Sequence, residues 1–177
     1  MGSIPDAEFD RFLELGESAY RPKGSRLLDP GVCCDRLFFF DSGMARSFYL
    51  RDGKDVTVSF TRPGEFVTSM ASFITGKPSY EGLEIIADAQ VWVVYREALM
   101  GLVQQDLFWA EVYRRALEEY YVRVEEAFIF SKFKSARERY EELIRTSPEI
   151  IQSASIGHIA SYLGISLETL SRIRGSR

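Results

Sequence analysis

Residues 159–174 read IASYLGISLETLSRIR. Apolar Ile159, Leu163, Ile165, Leu170 and Ile173 fall where two short crossing helices would face each other, and Ala160 is small enough for their closest approach. Gly164 can take the left-handed conformation that closes the first helix. Ser166 is placed to cap the second, with Thr169 three residues on instead of the Glu of a full capping box. Leu167, Glu168, Ser171 and Arg172 are left on the outward side of that helix. A Glu accepts from cytosine N4 and an Arg grips guanine O6 and N7, so Glu168, Ser171 and Arg172 suit the edges of base pairs. Helix–Gly–helix alone would fit any αα-hairpin with solvated charges. The joint fit of these positions points to a helix-turn-helix that reads DNA.

Charge along the chain permits such a partner. The formal net charge of the 177 residues is −4, but it is unevenly spread. Residues 1–131 hold 14 Lys/Arg against 21 Asp/Glu, whereas residues 132–177 hold 8 against 5. The acidity therefore belongs to the first part, and the segment with the DNA-reading pattern is basic. No apolar run approaches the length of a membrane span, and the N-terminus lacks the basic-then-apolar pattern of an export signal. The two cysteines, Cys33 and Cys34, are adjacent, a poor geometry for a staple. The expectation is a reduced, cytoplasmic protein with no membrane partner.

From Arg26 to Tyr95 the sequence reads as short strands broken by turns. Leu37 to Phe40, Met44 to Leu50, Val56 to Phe60, Leu83 to Ala87 and Val91 to Tyr95 are strand-like. Asp52-Gly53 between two of them is a strong hairpin signal, and Val56, Val58 and Phe60 alternate with Thr57 and Ser59. Strands at this spacing without long helices between them predict a small antiparallel barrel or sandwich. After Asp106, which can cap a helix, LFWAEVYRRALEEYYVRVEEAFIFSKF contains no Gly or Pro over 27 residues. Apolar residues recur on it every three or four positions: Trp109, Tyr113, Ala116, Tyr120, Val124, Ala127 and, more loosely, Ser131. Ala110, Leu117, Tyr121 and Phe128 form a neighbouring row. One row can pack on the barrel, and the other then needs a partner. About 40 Å of helix, at 1.5 Å per residue, outruns a small barrel, so the expectation is a two-fold dimer with Tyr113, Ala116, Tyr120 and Ala127 near its axis. Beyond it, Ser135-x-x-Glu138 is a capping box, and Ser147-Pro148 opens a further helix.

With these parts in order, the chain resembles the CRP/FNR superfamily of bacterial transcription factors. The resemblance covers nearly its whole length, and it implies an α+β fold. An N-terminal antiparallel β-roll of the cyclic-nucleotide-binding type occupies residues 1–105, a dimerisation helix 106–133, and a helix-turn-helix domain 134–177. Gly31, Gly43, Gly53 and Gly64 fall where the family's roll turns. Glu168-Thr169-Leu170-Ser171-Arg172 is similar to the Glu-x-x-Ser-Arg recognition motif of the FNR branch, whose Glu and Arg read a C·G pair. The resemblance implies double-stranded DNA as partner, with Ser166, Leu167, Glu168, Thr169, Ser171 and Arg172 at the contact. Each half-site would have a TTGA-like core, and RNA polymerase enters as a further candidate partner.

Departures from the family pattern carry as much weight. Members that bind cyclic AMP follow Pro-Gly-Glu-Phe with a phosphate cassette containing Gly-Glu-Leu and Arg-Ser. Here Pro63-Gly64-Glu65-Phe66 leads into Val67-Thr68-Ser69-Met70, with Ser69 where a carboxylate would take the ribose hydroxyl. Ser79-Tyr80-Glu81-Gly82 stands where the Arg should be, so Glu81 would repel the cyclic phosphate, and Lys77 is a weak substitute. Cyclic AMP and cyclic GMP are therefore not expected to bind. The effector cleft of Glu65, Phe66, Thr68, Ser69, Met70, Tyr80 and Glu81 is degenerate, holding another molecule or its own side chains. Two adjacent thiols fall short of the four an iron–sulfur cluster needs, and a strand-end Cys packed in the core is the reading for the pair. The lone His158, read as a surface residue on the first helix of the DNA-binding pair, offers no haem site. No nucleophile–His pairing, metal-ligand cluster or phosphate loop suggests an enzyme. No cofactor is expected. The chain stops at Gly175-Ser176-Arg177, where the family usually continues into a β-hairpin wing. Either this branch lacks the wing or the sequence was cut before it, and a wingless module would make fewer phosphate contacts. The competing class is a ligand-binding or dimerisation module whose terminal helices no longer read DNA.

Overall fold

The fold is that of a computed structural model describing residues 4–175. Residues 1–3, 176 and 177, at the limits of the domains expected above, lie outside it. A short helix, α1 (Asp6–Leu13), leads into β1 (Gly16–Arg21), β2 (Arg26–Leu28), β3 (Arg36–Phe40), β4 (Met44–Arg51), β5 (Lys54–Thr61) and β6 (Phe66–Val67). Helix α2 (Met70–Thr75) interrupts the strands before β7 (Glu81–Ala87) and β8 (Ala89–Tyr95). The strands form two antiparallel four-stranded sheets, in the orders β1-β8-β3-β6 and β2-β7-β4-β5. This is the antiparallel β-roll that the resemblance implied, where the strand spacing alone pointed to a small barrel or sandwich. Asp52 and Gly53 both take positive φ, 52° and 73°, the pair of angles a type I′ hairpin requires, and Arg51 faces Lys54 across the β4–β5 turn.

Phe38, Phe40, Leu83, Ile85 and Val91 fill the roll's interior, each all but excluded from solvent. Burying such a side chain contributes roughly 1.5–3 kcal/mol. The β4–β7 register divides the second sheet by alternation into two faces. Ala45, Ser47 and Tyr49 lie opposite Ile85, Leu83 and Glu81 on the inner face, whereas Arg46 and Phe48 lie opposite Glu84 and Gly82 on the outer one.

Helix α3 (Arg96–Gln105) turns the chain into α4 (Leu107–Phe133), whose first turn is capped by Asp106 accepting from the Phe108 N–H at 2.9 Å. Buried Trp109 anchors α4, stacking on Phe12 of α1 at 5.6 Å. The packing then stops. From Glu118 to Ile129 every residue is exposed, so the roll covers neither apolar row of this half, although Tyr120 comes near Tyr80 and Glu81. The expectation that one row would cover the barrel holds only as far as Leu117. Of the four residues placed near an axis, Tyr113 is half-buried, while Ala116, Tyr120 and Ala127 are exposed; the side chain of Ser131 lies outside the described residues.

Four short helices complete the chain: α5 (Ala136–Thr146), α6 (Pro148–Ser153), α7 (Ile156–Tyr162) and α8 (Leu167–Gly175). The capping box of Ser135 and Glu138 is formed in full at the start of α5. Ser147 precedes Pro148 at the start of α6 without a side-chain cap bond. Tyr140, Leu143, Ile150, Ile159, Leu163 and Leu170 pack together and onto Met44 and Ile86 of the roll. The helical domain and the outer face of the second sheet therefore share one core. Among the described residues no helix is long and apolar enough to cross a membrane.

β1, Gly-Glu-Ser-Ala-Tyr-Arg, is an edge strand with mostly exposed or half-exposed side chains, so the apolar alternation that marks a half-buried strand is missing from it.

Candidate nucleic-acid interface and effector cleft

The turn between α7 and α8 closes as a Schellman motif. Gly164, at φ 65°, donates its N–H to the Ser161 carbonyl, and the Ile165 N–H reaches back to the Ala160 carbonyl, both at 3.0 Å. Arg139 of α5 adds a 2.8 Å hydrogen bond to the Leu163 carbonyl, so the end of α7 is held from two sides. Ser166 caps α8 by accepting from the Thr169 N–H at 3.2 Å. Leu170, with no exposed surface, anchors α8, and Ile173 packs beside it. Leu167, Glu168, Ser171 and Arg172 are exposed, Ser166 is exposed at the cap, and Thr169 is half-buried. Arg172 makes a 3.4 Å contact to the Thr169 hydroxyl, and a hydrogen bond from Ser166 holds the Glu168 carboxyl below the usual carboxylate range. The outward face of α8 thus carries an ionised acceptor and a guanidinium one turn apart.

Behind α7 lies the roll. The Thr57 N–H of β5 donates to the Ser161 hydroxyl oxygen at 2.9 Å, and Phe60 meets Tyr162 edge-on at 5.2 Å. A second tie runs through Arg62, which donates to the Ser147 hydroxyl and the Glu149 carboxylate at 2.9 Å each while pairing with Glu65 at 2.7 Å. Under α7, Arg46 is buried on the outer face of the sheet. It donates to Glu84 at 2.6 Å, to the Thr57 hydroxyl at 2.9 Å, and to Asp55. His158 sits over this group half-buried, and its Nδ1 has no hydrogen-bond partner among the described residues. Burial first, and then the Arg46 charge, push its pKa below 6.5, against the opposing pull of Glu84 and Asp55.

This corrects two expectations. His158, read as a surface residue, is half-buried between α7 and the roll. Asp55, Glu84 and His158 also converge with the spacing of a metal-ligand set, which the sequence did not suggest. Arg46 already supplies the positive charge to both carboxylates there. Of the cysteines, Cys34 is buried as expected of a core residue, but Cys33 is exposed.

The seven residues grouped in an effector cleft divide. Glu65 pairs with Arg62 and faces α6. Phe66 packs against Phe39 and Phe12. The Thr68 hydroxyl donates to the Arg36 carbonyl, and Met70 opens α2. Only Ser69, Tyr80 and Glu81 come together. Buried Ser69 lies 2.8 Å, hydroxyl to hydroxyl, from Ser79, which in turn accepts from the Glu81 N–H at 3.1 Å. Two tyrosines that the sequence did not assign to the cleft join them, Tyr49 and, from the row expected at the dimer axis, Tyr120. Tyr49 stands opposite Glu81 in the β4–β7 register and stacks on Tyr80 at 5.3 Å. Tyr120 approaches from α4, near enough for Tyr80 and Glu81 to act on its hydroxyl. Burial raises the Glu81 pKa, and burial with the Glu81 charge pushes the Tyr49 hydroxyl to about 12.

Comparisons with known proteins agree with this architecture. The family described as the cyclic nucleotide-binding domain matches residues 20–106. No curated protein matches the sequence. FixK2 from Bradyrhizobium japonicum is similar in structure with a TM-score of 0.75 at 21% identity, over 91% of this chain and 83% of that one. A putative transcriptional regulator of the crp/fnr family from Eubacterium rectale also gives 0.75, at 18% identity over 96% and 82% of the two chains. The c-di-GMP responsive global regulator CLP of Xanthomonas campestris gives 0.72, at 19% identity over 97% and 91%. The chain shares its fold with these regulators, and its residues 20–106 match the cyclic nucleotide-binding domain.

Proposed function

We propose that this protein is a homodimeric transcriptional regulator that reads a palindromic DNA site through α8. The observation that carries the reading is the division of α8 into two faces. Leu170 is wholly buried, while Glu168, Ser171 and Arg172 stand exposed one turn apart. A helix anchored in this way presents a fixed acceptor–donor pair to a major groove. The unpacked half of α4 supports the dimer, since Tyr121 at 67% and Phe128 at 64% exposure leave apolar surface that a second copy would cover. Two recognition helices related by a two-fold enter successive major grooves, so the half-sites lie about one helical turn apart. Cyclic AMP and cyclic GMP are not effectors in this reading, because Ser79-Tyr80-Glu81-Gly82 replaces the family's phosphate-binding Arg-Ser stretch and Glu81 would repel their anion. The protein has no enzymatic role, and RNA polymerase is its onward contact.

Selection from random duplexes with the purified protein tests this directly. A palindrome with TTGA-like half-sites is the expected product. Selection that enriches no palindrome would leave a ligand-binding or dimerisation module whose terminal helices read nothing.

A further inference from the structure

Among the carboxylates within the strands of the second sheet, Asp55, Glu81 and Glu84, Glu81 is the exception. Asp55 and Glu84 share Arg46, and Glu65 holds Arg62. Glu81 is half-buried on the inner face, and among the described residues no Lys or Arg forms an ion pair with it. Its side chain has only a hydroxyl hydrogen bond from Ser69. A carboxylate removed from water needs a counter-charge or it is costly. Around it stand three tyrosines from three parts of the chain: Tyr49 on β4, Tyr80 before β7 and Tyr120 on α4. Tyr80, 61% exposed, offers an open ring, and Tyr120, 48% exposed in the single chain, stands both here and on the row expected near the dimer axis.

Rings present a negative quadrupole face, and a carboxylate beside several of them adds full charge in the same direction. Such a place repels phosphates and attracts a cation whose surface is partly apolar. A small metal ion would need more oxygen ligands than one carboxylate and two serine hydroxyls provide. An organic ammonium needs only the carboxylate and the π faces.

We infer that the cleft between β4, β7 and α4 binds an organic ammonium ion, with Glu81 as counter-ion and Tyr80 and Tyr120 as the aromatic walls. This rests on the reading above only in taking the cleft as the effector site. It names a ligand class opposite in charge to a cyclic nucleotide. Tyr49 holds Tyr80 in place by stacking, Ser69 bonds the Glu81 carboxylate, and Ser79 fixes the Glu81 backbone through its carbonyl and N–H.

Calorimetry on the full chain with choline, its uncharged isostere 3,3-dimethyl-1-butanol, and cyclic AMP tests the inference without any DNA. Choline is expected to bind at least about tenfold more tightly than the neutral isostere, with cyclic AMP weakest of the three. Glu81→Gln, which keeps the shape, should lower choline affinity by about tenfold or more and abolish the preference for the charged ligand. Tyr80→Ala, at an exposed ring, should weaken choline while leaving the circular dichroism spectrum unchanged. This second variant keeps the test informative if Glu81→Gln fails to fold. Equal binding of choline and its isostere overturns the inference, as does wild-type choline affinity in Glu81→Gln or Tyr80→Ala. So does the absence of choline binding up to about 10 mM. Choline binding together with a duplex selection that enriches nothing would instead defeat the DNA-reading proposal and leave this one standing.

Discussion

The backbone N–H of Thr57 donates to the hydroxyl of Ser161 at 2.9 Å, joining a strand of the roll to the first helix of the helix-turn-helix. It lies at the centre of a continuous contact. Arg46, Thr57 and Phe60 face Ser161, Tyr162 and His158, and Met44 and Ile86 extend the same surface into the core of the helical domain. The orientation of α8 is thereby set by the outer face of one sheet, whose inner face carries Tyr49 and Glu81. Movement of that sheet at the cleft would be felt at the recognition helix through rigid packing.

Arg46 is the keystone charge of this contact. Arg46→Ala would leave Glu84 and Asp55 facing each other beneath α7, with only the more exposed Arg26, 3.9 Å from Glu84, in place of the buried cation. Breaking a buried pair costs about 3–5 kcal/mol, and the 41% exposure of the Asp55 side chain places this case near or below the lower figure. Urea denaturation should therefore show Arg46→Ala destabilised by roughly 2–3 kcal/mol. A loss under about 0.5 kcal/mol would mean that water solvates both carboxylates in place of the arginine.

His158 should make stability depend on pH in the mildly acid range. Its folded-state pKa lies below 6.5, because burial and Arg46 disfavour the imidazolium more than Asp55 and Glu84 favour it, with Lys23 adding to the repulsion. The unfolded chain then binds more protons, and stability rises with pH across this window. The contribution is present above pH 6.5 and is lost as the pH falls from there toward the folded value. Denaturation midpoints measured between pH 5 and 7 should decline on acidification in the wild type and flatten in His158→Gln. An unchanged slope in the variant would assign the effect to other groups.

Val124 lies midway along the unpacked half of α4, 48% exposed in the single chain. Val124→Glu should leave the monomer fold intact, since it removes no contact with the roll, yet it places a charge in the apolar seam between two copies. Sedimentation velocity at micromolar concentration should find the wild type as a dimer, with the variant weakened by about tenfold or more. A monomeric wild type over that range would defeat the assignment of Tyr113, Ala116, Tyr120 and Ala127 to the axis.

Arg172→Ala should cost roughly 1–3 kcal/mol in binding the selected duplex and relax preference at one base pair per half-site. Removing a phosphate contact would weaken all sequences alike and lower the salt slope instead. Titration of matched and mismatched duplexes at two salt concentrations separates these outcomes. Affinity and preference unchanged in the variant would remove Arg172 from base reading.

The order of elements was legible in the sequence because each rests on local physics. Asp52-Gly53 specifies its hairpin through positive φ, Ser135 and Glu138 begin their helix by reciprocal capping, and Gly164 ends α7 through a conformation other residues avoid. The long helix was visible from the absence of Gly and Pro and from its apolar rows. What it packs against was not, since a row of apolar residues states only that something must cover it.

Tertiary structure decided the rest, most visibly on β5. The alternation of Val56, Val58 and Phe60 with Thr57 and Ser59 marks a strand, but burial does not follow hydrophobicity. Thr57 is 1% exposed and Val58 41%. The register with β4 slips between Ser47 and Phe48, and α7 then covers the face on which Thr57 lies. A hydroxyl and a backbone N–H can be buried there because Arg46 and Ser161 satisfy them, and those two partners are 115 residues apart in the chain. The same holds for the Arg46 cluster and for the tyrosines around Glu81. Pairings between residues distant in sequence depend on which sheet face each strand presents, and a face is defined only when the sheet closes against another element.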